Sequence, residues 1–175
     1  MLQVGGQRMR VFPTRNEMVA SLDSRLILAE LGVFRGQFSD ALLNTEPTWL
    51  YLVDTFDGVV ECGDKDGLNI EYIDITSEYD RLCKKYADEP VTVCKMTTKE
   101  FLEDTLVEAV YIDANHSYES VYEDLVLSFN AGAKIFMCHD YNLNSVSLAV
   151  KQFCNDYKFK PIAITKDLCP TIMLR

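Results

Sequence analysis

The chain has 175 residues, which suits one domain, and 48% of them are hydrophobic, enough to bury a sizeable core. A formal net charge of −10 argues against a general nucleic-acid binder, which needs a basic footprint. No apolar run approaches the roughly 18–20 residues of a membrane span, and residues 1–10 lack the apolar core of a signal peptide. In chain order, residues 13–22 read as an opening helix, with Thr14 as N-cap and Glu17 placed as in a capping box. Residues 26–31 read as a strand, 37–44 as a helix, and 49–53 as a strand ending at Asp54. Residues 57–69 form a Gly/Asp-rich connection, too polar for core. A helix is expected over 77–87 with Leu82 and Tyr86 on one face, then a short strand over 91–94 and a short helix over 99–105. Residues 109–112 read as a strand ending at Asp113, 121–130 as a helix, and 133–138 as a strand. A helix over 145–157, apolar at Val146, Ala149, Val150 and Phe153, precedes two closing strands over 159–165 and 171–174.

This alternation of helices with continuously apolar strands predicts an α/β fold: a doubly wound, mostly parallel sheet with helices on both faces, and a single domain over 1–175. Ligands bind such sheets beyond the carboxyl ends of the strands. The chemically informative residues fall there: Gly32 to Gly36, Asp54, Asp113 to His116, and His139 to Tyr141. Six cysteines, at 62, 83, 94, 138, 154 and 169, show no C-x-x-C spacing. A zinc knuckle is therefore not expected, and free thiols in a reducing, cytoplasmic setting are.

In the stretch from Leu28 to Ser39, an apolar run meets an acid, Glu30, and then two glycines, Gly32 and Gly36. A glycine turn lets backbone approach a ligand closely, and the helix end that follows offers unpaired N–H groups. The acid argues against a phosphate-cradling loop and suits a ligand that carries positive charge. No Lys-Ser/Thr pair completes a Walker loop. E-x-G-x-x-x-G after a strand resembles the first motif of class I S-adenosylmethionine-dependent methyltransferases. The strings AELGVFRGQFS, LYLVDTFDG, VYIDANHSYESVYEDL and AKIFMCHDY resemble one branch of it, in order and over roughly residues 12–153. That branch is the macrocin and other sugar O-methyltransferases with the cephalosporin-hydroxylase-like proteins. The resemblance implies a seven-stranded sheet with the last strand antiparallel, and S-adenosylmethionine as cofactor.

Carried onto this sequence, the resemblance puts Glu30, Gly32, Phe34 and Gly36 at the methionine end of the cofactor, with Ser39 as a donor from the helix start. Asp54 is placed to accept ribose hydroxyls, the logic of dinucleotide folds. Thr97 and Thr98 stand where the family edges the adenine, although Met96 replaces its usual glycine. Arg15 reads as a surface arginine rather than a lid on the cofactor carboxylate, and Asp124 as a solvated helix acid.

Asp113, His139 and Asp140 match the family's Mg²⁺ ligands, except that the family's pair is often acid–acid. Histidine there shifts the preference toward Mn²⁺ or softer ions, or removes the metal and leaves His139 or His116 as general base, alongside Asp113. The expected reaction is methyl transfer to a hydroxyl of a small molecule, of the sugar or natural-product class that the resemblance implies. No nucleic acid or membrane partner is expected. The chain has little length for a substrate lid, so a neighbouring subunit of a homo-oligomer is a natural source of acceptor contacts. Two rivals stand beside this reading. One is a cofactor-binding relative that acts as a scaffold. The other, a nicotinamide oxidoreductase, fits poorly because the loop is not G-x-G-x-x-G.

Overall fold

The computed structural model describes residues 2–4, 7–63 and 70–175. The first half holds β1 (Leu2–Val4), β2 (Gln7–Phe12), α1 (Arg15–Val19), β3 (Ile27–Leu31), α2 (Ser39–Leu43), β4 (Trp49–Asp54), β5 (Val59–Gly63) and β6 (Ile70–Asp74). The second half holds α3 (Glu78–Lys85), β7 (Val91–Lys95), α4 (Thr98–Asp104), β8 (Ala109–Ile112), α5 (Tyr118–Asn130), β9 (Ile135–Cys138), α6 (Asn144–Tyr157), β10 (Pro161–Thr165) and β11 (Ile172–Leu174).

Every residue of β8 and β9 is buried, as strands covered on both faces must be. They sit inside a sheet ordered β1-β2-β10-β11-β9-β8-β3-β4-β7. Strands β9, β8, β3, β4 and β7 run parallel, and β11 lies antiparallel between β9 and β10. The seven strands from β10 to β7 are therefore the expected mostly parallel sheet with a reversed last strand.

Successive side chains on a strand point to opposite faces, and this alternation splits the core in two. Ala29, Leu31, Val110 and Ile112 face one cluster, built with Phe101, Leu125 and Phe153 of α4, α5 and α6. Leu28, Leu52 and Tyr111 face the other, with Met18, Leu42 and Leu82 of α1, α2 and α3. Glu30 pairs with Tyr111 across β3 and β8, so these two polar groups share the α1/α2 face.

Two segments differ from the sequence reading. A strand, β2, precedes the opening helix and pairs with β10 through Arg10↔Ala163, Val11↔Ile164 and Phe12↔Thr165. Its partner lies at the far end of the chain, so no local pattern announces it. Residues 59–63 fall in what reads as a polar connection, yet β5 and β6 form an antiparallel ribbon apart from the main sheet. The rest of that connection, residues 64–69, lies outside the described residues.

The start of α1 was legible. Thr14 caps α1 by accepting from the Glu17 N–H at 3.3 Å, although among the described residues only Thr97 and Glu100, at the start of α4, form the reciprocal capping box. Thr97→Ala is expected to lower stability by about 1 kcal/mol, read as a shifted denaturant midpoint at constant slope. An unchanged midpoint would show that α4 is held by packing alone. Among the described residues no helix is long and apolar enough to cross a membrane, and Cys83, Cys94, Cys138, Cys154 and Cys169 are free thiols.

Candidate functional site

The ends of β3, β4, β7 and β8 open onto a cavity of about 670 Å³. Of the residues singled out in the sequence, Glu30, Gly32, Phe34, Asp54, Thr97, Thr98, Asp113 and His116 line it, together with Arg15 and Met96. Gly36, Ser39, His139 and Asp140 do not.

The chain leaves β3 through Gly32, at φ +88°, where an added Cβ would lie 2.2 Å from the backbone oxygen of Asp113. Only glycine lets β3 and β8 end this close together. Gly36, at φ +65°, instead packs the loop on α3, where a Cβ would meet Leu82 Cδ2 at 2.6 Å.

Asp54 ties this loop down. Its Oδ2 accepts from the N–H groups of Val33 at 2.9 Å and Phe34 at 2.8 Å, and its Oδ1 accepts from Phe56 N–H at 3.0 Å. A carboxylate offers about four acceptor positions, so one remains for a hydroxyl in the cavity. Asp54→Ala is expected to weaken binding of S-adenosylhomocysteine about tenfold or more, since the loop loses its clamp and the ligand an acceptor. Calorimetry giving unchanged affinity would remove Asp54 from the site.

Glu30 is only 2% exposed. Burial pushes its carboxyl up to about 8, against a smaller opposing effect of the Ser39 hydroxyl. Ser39 Oγ donates to Glu30 Oε2 at 2.5 Å and is itself fully buried. Ser39 thus supports the acid from behind and does not reach the cavity, which corrects its expected part as a donor to the cofactor. Thr98 plays a similar game in reverse. Its hydroxyl donates to Asp124 Oδ1 at 2.5 Å, leaving lone pairs toward the cavity. Asp124 is not a solvated helix acid: it is 5% exposed, and burial pushes it up to about 6. The Thr97 hydroxyl is held by Glu100 Oε2 at 2.8 Å.

A second polar centre adjoins the cavity. His116 Nε2 lies 3.0 Å from Asp140 Oδ2 and 3.5 Å from Asp113 Oδ1. His139 Nδ1 lies 3.2 Å from Asp113 Oδ1 and 3.3 Å from Asp140 Oδ2. Both nitrogens are buried, and neither makes an aligned hydrogen bond. Asp113 and Asp140 together push the His116 imidazole up to about 9, so it rests protonated at neutral pH. Burial would raise Asp113, but its contacts with His116 and His139 outweigh that and lower it. Contacts with His116 and then His139 also lower Asp140.

Asp113, His139 and Asp140 each offer one ligand atom, all within 4.8 Å of one another. Two carboxylates and the unpartnered Nδ1 of His139 fit a divalent cation such as Mn²⁺ or Mg²⁺. Two positive groups oppose it: Arg15 Nη1 sits 3.0 Å from His139 Nε2, and the protonated His116 lies 3.0 Å from Asp140 Oδ2.

Arg15 is not a surface arginine. Its Nη1 also donates to Tyr111 O–H at 3.1 Å, and its guanidinium lies over the Phe38 ring, 4.6 Å from the centroid. Sequence reasoning passed over Tyr111. The usable signal was its place in a fully apolar strand, opposite Glu30 in register.

No protein-family model matches the chain, and no curated protein sequence does. Solved structures do resemble it. A ribosomal-protein methylase from Lactobacillus delbrueckii subsp. bulgaricus superposes with a TM-score of 0.63 at 9% identity, covering 91% of this chain and 75% of that one. N-methyltransferase NodS from Bradyrhizobium japonicum gives 0.62 at 10% identity, covering 92% and 93%. A candidate tRNA methyltransferase from Streptococcus pneumoniae, in complex with S-adenosyl-L-methionine, gives 0.61 at 12% identity, covering 94% and 72%. Likeness at these identities is likeness of fold: the chain adopts the Rossmann-like methyltransferase fold.

Proposed function

We propose that the cavity binds S-adenosylmethionine and that the protein transfers its methyl group to a hydroxyl of a small molecule. The observation that carries this reading is Glu30, a buried acid beside the Gly32 turn, at the mouth of a fold shared with methyltransferases. A carboxyl held near neutrality by burial is poised to ionise when an ammonium group arrives and supplies the missing counter-charge. The cofactor supplies a methyl already activated on a sulfonium. The protein must align donor and acceptor and take up a proton.

Asp113 faces the cavity and accepts the hydroxyl proton. His116, resting protonated, stabilises the negative charge that develops on the acceptor oxygen. A divalent cation held by Asp113, His139 and Asp140 would lower the pKa of that hydroxyl and serve the same end.

Some structural neighbours are described as acting on tRNA or a ribosomal protein. The net charge of −10 favours a small acceptor over a polyanion here. A homo-oligomer and a reducing, cytoplasmic setting belong to the same proposal. Titration with S-adenosylhomocysteine, followed by a panel of hydroxylated acceptors with labelled cofactor, tests the reading. Binding plus label transfer to a small acceptor is expected. No binding would overturn the cofactor assignment, and binding without transfer to any acceptor would favour a scaffold role.

A further inference from the structure

Three neighbouring strands give the cavity a direction. Glu30 stands on β3, Asp54 ends β4, and Met96, Thr97 and Thr98 follow β7, and the sheet places these strands in the order β3-β4-β7. All five residues line the cavity. A ligand whose ammonium group meets Glu30 and whose ribose hydroxyls meet Asp54 carries its base on toward the end of β7, a placement that rests on the S-adenosylmethionine reading of the cavity.

The hydroxyls at that end are already committed. Thr98 Oγ1 donates to Asp124 Oδ1 at 2.5 Å, and Thr97 Oγ1 donates to Glu100 Oε2 at 2.8 Å. A hydroxyl has one proton, and an ionised carboxylate only accepts. The Met96 thioether is at best a weak acceptor. These three side chains therefore present acceptors and no donor to a ligand. Asp124 is the stricter of the two carboxylates. It belongs to α5, 26 positions from Thr98, and at 5% exposed it has little water to bond instead. Even pushed up to about 6 by burial, it is mostly ionised at neutral pH.

We propose that Asp124 is a positioning residue for base selection: by taking the Thr98 proton it fixes Thr98 Oγ1 as an acceptor, so that the site takes a 6-aminopurine nucleoside and rejects a 6-oxopurine one. The amino group of adenine is a donor and meets the Thr98 lone pairs, whereas the carbonyl of a 6-oxopurine is an acceptor. Carbonyl and hydroxyl oxygen would then face each other with no proton between them, each left unpaired. Asp124 stands behind Thr98 and acts only through it.

Calorimetric titration at neutral pH with S-adenosylhomocysteine and with S-inosylhomocysteine, which differ only in the base, tests this in the wild type, Asp124→Leu and Thr98→Val. The wild type should prefer S-adenosylhomocysteine by about 10–100-fold. Asp124→Leu frees the Thr98 proton to turn to the carbonyl, so S-inosylhomocysteine should bind more tightly than to the wild type and the ratio should fall toward one. Thr98→Val removes the oxygen, and the ratio should fall there through weaker S-adenosylhomocysteine. Both ligands share ribose and amino-acid end, so a merely structural loss around α4 and α5 would weaken them alike and leave the ratio unchanged.

A wild-type ratio near one would overturn the role of Asp124 and leave the cofactor reading standing, as would a wild-type ratio retained in Asp124→Leu. Failure of both ligands to bind the wild type would overturn the cofactor reading and this assignment with it. Asp124→Asn, whose amide can turn either its oxygen or its nitrogen to Thr98, serves where the leucine variant does not fold, and it too should lower the ratio.

Discussion

Gly32→Ala is expected to cost about 2–5 kcal/mol of stability and to abolish binding in the cavity. Two terms add. A side chain at positive φ costs roughly 1–2 kcal/mol, and forcing extra volume into a packed site costs typically about 1–3 kcal/mol. The second applies in full because the added methyl would meet backbone: the Asp113 oxygen at 2.2 Å, its carbon at 2.5 Å and Ala114 Cα at 2.6 Å. Backbone in the centre of a sheet cannot rotate aside as a long side chain can. The nearest relief is to push the ends of β3 and β8 apart, which displaces Glu30 and Asp113 together.

Gly58 provides the control. It also has positive φ, +78°, but nothing lies within 4 Å of its added Cβ. Gly58→Ala should therefore show only the strain of the backbone, about 1–2 kcal/mol. Denaturant unfolding of both variants separates the terms, and equal losses would show that the close approach to Asp113 carries no energy.

The second large effect belongs to Glu30. Its carboxyl stands at about 8 in the fold, from an ordinary 4.5. Below pH 4.5 the group is protonated whether the chain is folded or not, and it contributes no pH dependence. Between 4.5 and 8 the folded chain keeps a proton that the unfolded chain releases, so stability falls as pH rises. Above 8 the full penalty is present, on the order of 5 kcal/mol.

Glu30→Gln keeps a neutral acceptor for Ser39 and removes the titration. The variant should match the wild type at acid pH and exceed it in stability above pH 8. Parallel stability curves for the two proteins would place the wild-type Glu30 at an ordinary pKa. The same group bears on binding. An ammonium-bearing cofactor that ionises Glu30 should release close to one proton at pH 7, seen as a heat that varies with the buffer's own ionisation enthalpy. Glu30→Gln should release none and bind more weakly.

Strand ends were legible in the sequence for a local reason. An unbroken apolar run that stops at an acid reads as a buried strand reaching solvent, and Asp54 and Asp113 both stand at such a stop. The helix start at Thr14 was legible because its side chain bonds to backbone three residues on; Thr97 and Ser117 cap their helices in the same way, ahead of the starts at 99 and 121 that the sequence suggests. The strands β1 and β2 were missed because β2 is held in the main sheet by β10, a pairing that no neighbouring residue signals.

What the sequence by itself determined is the alternation of elements, the parallel sheet and the edge at which polar residues gather. Those depend on periodicity and on contacts a few residues apart. Only the tertiary structure decided what each polar group does. Ser39 faces the cavity in the linear reading but is turned inward onto Glu30 by the start of α2. Arg15 reaches His139 across 124 positions of sequence, and Thr98 finds Asp124 across 26. Asp54 holds the N–H groups of Val33 and Phe34 because β3 and β4 are neighbours in the sheet. A hydrogen bond needs its partners within about 3 Å and aligned, and for residues far apart in sequence only the packing of the sheet and helices sets that distance.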